Sequence, residues 1–248
     1  MIQFFRKIRY NLIELNKTGK YLKYAIGEII LVVIGILIAL QINDWNAQKS
    51  RLKEEHRILQ NIQQDVITDT LDLTRKIERA QHRIIQMDSV YFALKETDRF
   101  TSNEFIQYAY SMAGGDTFNV NSGTYDESLS ASTLKYIRND EVRQEVFEYY
   151  RNAKQNQIDQ FATLQKYDFV FPVMFNKLST SKDFFETFLN KPTNLESINI
   201  KSLSEDKQFI SAVNQRYASE ITQISNWKNF IASGRNLLEK IHFELNSQ

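Results

Sequence analysis

Residues 44–94 read DWNAQKSRLKEEHRILQNIQQDVITDTLDLTRKIERAQHRIIQMDSVYFAL, without one proline or glycine. Trp45, Leu52, Leu59, Val66, Leu73, Ala80, Met87 and Leu94 recur at seven-residue intervals, and all are apolar. The companion line is polar at His56, Gln63 and Thr70, then apolar at Ile77, Ile84 and Tyr91. Glycine costs about 1 kcal/mol and proline about 3 kcal/mol in a helix interior, so their absence favours one continuous helix. At 1.5 Å per residue it would span about 75 Å. A seam half polar at its start and fully apolar farther on predicts a stalk that becomes part of a bundle.

Working upstream, residues 25–40 read AIGEIILVVIGILIAL. With their flanks they reach about 20 residues, enough to cross roughly 30 Å of hydrocarbon. A buried core helix and a cleavable signal peptide are the rival readings. Tyr21, Tyr24 and Trp45 stand at the two edges, where amphipathic aromatics favour the headgroup region. Residues 39–41 lack the paired small side chains of a signal-peptidase site, and the preceding arm is longer than a typical leader's. A membrane anchor over residues 25–42 is therefore expected. Arg6, Lys7, Arg9, Lys17, Lys20 and Lys23 precede it against the single acid Glu14, which predicts a cytoplasmic N-terminus and an extracytoplasmic domain over residues 43–248. Within residues 1–24, Phe5, Ile8, Leu12 and Leu15 share a helical face, so this basic arm either lies along the inner leaflet or is a solvated tail. Glu28, Gly35 and Ala39 are the candidate contact residues of the span. Glu28 and Gly35 share a stripe, and Gly35 with Ala39 makes a small-xxx-small pair.

Downstream, Ile210, Tyr217, Ile224, Ile231, Leu238 and Leu245 form another seven-residue series, with Val213, Trp227 and Ile241 beside it. Ser202 and Glu205 have capping-box spacing just ahead of it. A third long helix begins near Asp140 and carries Val142, Val146, Tyr150, Ala153, Phe161 and Leu164, until Pro172 ends or kinks it. Thr101–Glu104 and Thr124–Glu127 repeat the capping-box spacing, predicting a short helix after each, the first closed by Gly114 and Gly115. The expected fold is all-α: a single N-terminal transmembrane helix continuing into an antiparallel bundle of about three long helices plus short ones. Residues 190–202, with Pro192 and the alternating LESINIK, are read as a short extended piece.

Two stretches carry a resemblance. GEIILVVIGILIALQINDWN, residues 27–46, and GTYDESLSASTLKYIRNDEVRQEVFEYYR, residues 123–151, resemble an uncharacterised bacterial, Bacteroidota-type family known only as a domain of unknown function. The resemblance implies a membrane-anchored helical domain and no assigned activity. Relatives place a glycine in the turn before the leucine equivalent to Leu134, where this chain has Ser132.

The composition narrows the chemistry. A net charge of +1 gives no electrostatic case for nucleic acid. The absence of cysteine excludes disulfides, thiolate metal sites and a cysteine nucleophile, and seven glycines leave little room for a phosphate-cradling loop. His56, His82 and His242 all sit in helical, charge-rich sequence without the partners a hydrolase triad or HExxH zinc site needs. No cofactor or metal is expected. The longest irregular stretch is GGDTFNVNSG, residues 114–123. Asp116, Asn119, Asn121 and, just beyond it, Asp126 make this the candidate binding loop, against the plainer reading of a connector. Aromatics crowd residues 147–188, as core or as the lining of a ligand pocket or protein contact surface. The partners expected are the lipid bilayer and either a protein partner or a second copy met through the membrane helix. An envelope-tethering spacer and an unrecognised hydrolase using the residues of that loop are the alternatives.

Overall fold

The computed structural model describes residues 18–155 and 166–247, and these are helical with no strand among them. Eight α-helices follow in order: α1 Thr18–Lys95, α2 Ser102–Tyr110, α3 Gly123–Ser130, α4 Asp140–Gln155, α5 Phe171–Leu178, α6 Lys182–Leu189, α7 Ile200–Glu205 and α8 Lys207–Asn246. The all-α expectation holds. The chain divides into two compact units, Met1–Glu55 and His56–Gln248. Most of the basic arm, with Phe5, Ile8, Leu12 and Leu15, and the residues Phe161 and Leu164 lie outside the described residues.

In the first unit, α1 carries an 18-residue window of mean hydropathy 2.6 with none of it buried. Ile29, Leu31, Val33, Leu37 and Leu40 are 47–64% exposed. A core helix of a water-soluble fold would cover such side chains, each worth about 1.5–3 kcal/mol on burial. Length and composition make this a helix able to cross a membrane. Gly35 and Ala39 are exposed on it and Glu28 is half-buried. A Cβ built on Gly35 would meet nothing within 4 Å.

In the second unit the seven-residue line of α1 is the packing seam: Leu59, Val66, Leu73, Ala80 and Met87 are all 0% exposed. Helix α8 runs antiparallel to it, because Arg83 meets Glu220 and, farther along α1, Tyr91 meets Tyr217 and Asn214. It also runs antiparallel to α4, where Asn139 meets Glu244, Glu145 meets Asn236 and Tyr149 meets Phe230. Helices α1 and α4 therefore share a direction, and α8 answers both. The three meet closely at Gly234, where a Cβ would lie 3.3 Å from Val66 and 3.4 Å from Thr70 and Tyr149.

On α8, Ile224 and Ile231 of the seven-residue line are buried and Ile210, Tyr217, Leu238 and Leu245 half-buried; the deepest face runs beside it, through Phe209 and Leu237 and the expected Val213, Trp227 and Ile241. Arg216, Glu220 and Gln223 lie on that same face and are 0–5% exposed. They separate two apolar cores. One gathers Ile58 to Ala80 of α1 with α4 and Ile224 to Ile241 of α8; the other gathers Met87 to Ala93 with α2, α5, α7, Phe209 and Val213.

The local signals met mixed outcomes. Thr101 and Glu104 form the expected capping box. Thr124 is not a cap, because α3 already begins at Gly123 after Ser122. Ser202 and Glu205 fall inside α7, and Asp206 caps α8 by accepting from the amides of Gln208 and Phe209. Gly114 follows a 3-10 turn with φ −64°, so it is no left-handed cap. Its lack of a Cβ matters for space, since one would lie 3.0 Å from Arg83 Cδ and 3.1 Å from Ser111 O. Pro172 opens α5, where its missing N–H costs nothing. The extended piece read over residues 190–202 is irregular to Asn199 and then helical.

Candidate functional site

Residues 114–123 link the short helix pair after α1 to α3, and two polar clusters bind them to the bundle. The first fills the level between the two apolar cores. Arg83 reaches from α1 to Glu220 Oε1 at 2.6 Å and to Asp116 Oδ2 at 2.9 Å. Arg79, one turn earlier, donates to Asp116 Oδ1 at 2.6 and 3.0 Å. Arg216 bonds Glu220 and donates to the carbonyls of Met112, at 3.0 Å, and Gly114, at 2.8 Å. Gln223 donates to the carbonyl of Asp116 at 3.0 Å. Every charged member bonds another member or the backbone, the condition under which buried ions are tolerated. Burial pushes the Asp116 carboxyl up, but Arg79 and Arg83 outweigh that and hold it below the usual carboxylate range. The guanidinium of Arg216 is pulled down by burial against the attraction of Glu220.

The second cluster sits at the other end of the connector. Asp69, 1% exposed on α1, accepts from the Asn121 amide at 3.0 Å, from Asn121 Nδ2 at 2.6 Å and from the Tyr149 hydroxyl at 2.9 Å. Burial raises its carboxyl above the usual range despite these three donors. One turn away stands Asp65, whose Oδ2 is buried with no hydrogen-bond partner among the described residues, as is the hydroxyl of Tyr150. Burial drives both tyrosines, Tyr149 and Tyr150, far above their ordinary value. Between the clusters Phe118 packs on Phe230, with ring centroids 5.4 Å apart.

The candidate residues of the loop do not converge. Asp116 faces the arginines and Asn121 faces Asp69. Asp126 bonds Ser122 at 2.6 Å and pairs with Lys154. Asn119 is exposed. His82 is exposed and His56 half-buried, and neither joins these clusters. Among the described residues no set of three or more histidine, aspartate or glutamate side chains is placed to hold a metal ion. The clusters were legible only in part. Arg79 with Arg83, Asp65 with Asp69, and Arg216 with Glu220 are each four apart, but only an apolar stripe running through Phe209, Val213 and Trp227 identifies the last pair as buried.

The aromatic stretch does two jobs. Tyr149 and Tyr150 are core, while Phe171, Phe175 and Phe184 join Tyr110, Met174 and Leu178 around a shallow apolar hollow open to solvent. Tyr110 stacks on Phe188 at 4.2 Å, and Phe175 is 50% exposed.

No curated protein and no solved structure matches the chain. Residues 28–220 match the family described as "Family of unknown function (DUF6090)". That span takes in nearly all of the apolar segment of α1, both polar clusters except Gln223, and the aromatic hollow, and the chain accordingly belongs to this family of unknown function.

Proposed function

We propose that this is a single-pass protein of the bacterial cytoplasmic membrane, with residues 25–42 in the bilayer, the basic arm in the cytoplasm and the helical bundle outside it. There the bundle binds a partner protein or a small ligand. The observation that carries the reading is the exposure of the apolar run of α1: a window of mean hydropathy 2.6 with no side chain buried needs lipid or another helix to cover it. The aromatic hollow around Phe171, Phe175 and Phe184 supports the binding half, since apolar side chains left open at a concave surface mark recognition sites. Alkaline carbonate extraction tests the anchor. The chain stays in the membrane pellet, and Leu37→Arg, which places a charge costing about 2.5–3.5 kcal/mol mid-span, weakens that retention. Full release of the wild-type chain would defeat the reading. Crosslinking in the native membrane tests the partner: a specific adduct that Phe175→Asp removes supports it, and none with either protein opposes it.

A spacer or self-associating role is the second reading, favoured by the open surface at Gly35 and Ala39, with Glu28 on the same helix. Loss of self-association on Gly35→Leu, with anchoring kept, would select it over a monomeric binder.

A further inference from the structure

We infer that Asp69 is a proton-operated latch: its ionised carboxylate clamps residues 114–123 to α1 through Asn121, and its protonation loosens that clamp. Three observations meet at this residue. It is almost fully buried, and among the described residues it holds the connector by two of its three hydrogen bonds and no basic side chain bonds it. The groups that bear on it from the packed elements are Asp65 on its own helix, Asn121 of the connector, and Tyr149 and Tyr150 of α4, while Tyr125 and Asp126 of α3 face Tyr150. Lys154, the base of this corner, pairs with Asp126. Helix α8 contributes Phe230 and Gly234, which are uncharged. Two carboxylates one helical turn apart thus share a corner, with no ion pair to either among the described residues, an arrangement that favours proton uptake by the buried Asp69.

The proton comes from solvent and settles on Oδ2, the Asp69 oxygen with a single partner; the Tyr149 hydroxyl that donates there turns to accept or to leave. A protonated oxygen needs an acceptor. Two buried oxygens without a partner among the described residues stand in the same corner, Asp65 Oδ2 and Tyr150 Oη. Oδ1 keeps its two bonds from Asn121, now as a neutral acceptor, and charge-assisted bonds are roughly twice as strong as neutral ones. The burial that raises this carboxyl acts in the same sense. Proton uptake therefore has opposite effects at two scales. It removes a buried charge and steadies the bundle, while it frees the connector that carries Asn119 and Phe118.

That opposition is the test. Amide exchange of the full-length protein in detergent micelles is followed against pH, corrected for the intrinsic rate, beside thermal unfolding of wild type and Asp69→Asn. The latch predicts that protection of the Asn121 amide falls roughly tenfold as pH drops through the Asp69 titration, the size expected when two charge-assisted bonds become neutral. Over the same range the stability advantage of Asp69→Asn over wild type closes, and in Asp69→Asn the Asn121 amide is weakly protected at every pH. Asn121 protection that is flat, that moves with global stability, or that keeps its pH dependence in Asp69→Asn overturns the inference. If Asp69→Asn does not fold, the wild-type comparison of Asn121 with amides inside α4 decides alone.

Discussion

Ser132 holds φ 58°, in the left-handed region where a side chain is strained and glycine is not. The amides after α3 turn back on its last carbonyls, Ser132 N to Leu129 O at 3.1 Å and Thr133 N to Ser128 O at 2.8 Å, which is the geometry a glycine cap serves. The turn is a left-handed one, built here with a serine. Ser132→Gly should raise stability by about 0.5–1 kcal/mol in denaturant unfolding, part of the left-handed cost being returned as chain entropy. Asp69, buried, and Asp116, half-buried, should respond to acid with opposite signs. Asp116 is lowered from 3.8, so its contribution is present above that value and is lost as pH falls through its folded value. Asp69 is raised from 3.8, so its contribution is complete below that value and is lost as pH rises through its folded value. Thermal unfolding against pH for wild type, Asp116→Asn and Asp69→Asn separates them: the first variant is less stable than wild type at neutral pH and the second more stable.

At the scale of elements, the ionic level between the cores is where α1, α8 and the connector meet. Arg216→Met would leave Glu220 buried with one of its two arginines and would free the carbonyls of Met112 and Gly114. Breaking a buried pair this way costs about 3–5 kcal/mol, measurable as a shift in the denaturant midpoint. The junction of α1, α4 and α8 at Gly234 is the apolar counterpart. Gly234→Val would press on Val66, Thr70 and Tyr149 and should cost about 1–3 kcal/mol by overpacking. Long periodic helices were readable in the sequence because a seven-residue apolar line over α1 leaves only one face to bury. The polar face of α8 was not, because Arg216, Glu220 and Gln223 look like solvated side chains until the arginines of α1 and the connector carbonyls are set beside them. Short helices failed at their starts for a related reason. Thr124–Glu127 and Ser202–Glu205 have capping spacing, but α3 starts after Ser122, which gives no side-chain cap, and Asn199 and Asp206 lie where the chain turns and do cap. The connector was legible as an irregular stretch, though residues 190–199 form a longer one, and its two anchor points, Arg83 and Asp69, were not.

For the whole molecule, the central claim is that residues 25–42 cross a bilayer with the N-terminal arm on one side and the helical bundle on the other. The exposed apolar window of α1 and the basic excess ahead of it both bear on that claim. The natural chain has no cysteine, so a single introduced thiol reports one position without background. Asn11→Cys marks the arm and Lys201→Cys, exposed at the start of α7, marks the bundle. The measurement is labelling of intact cells with a membrane-impermeant maleimide, before and after permeabilisation. The account predicts that Lys201→Cys is labelled in intact cells and Asn11→Cys only once the membrane is opened. Labelling of Asn11→Cys alone in intact cells, or of both sites equally, would contradict it.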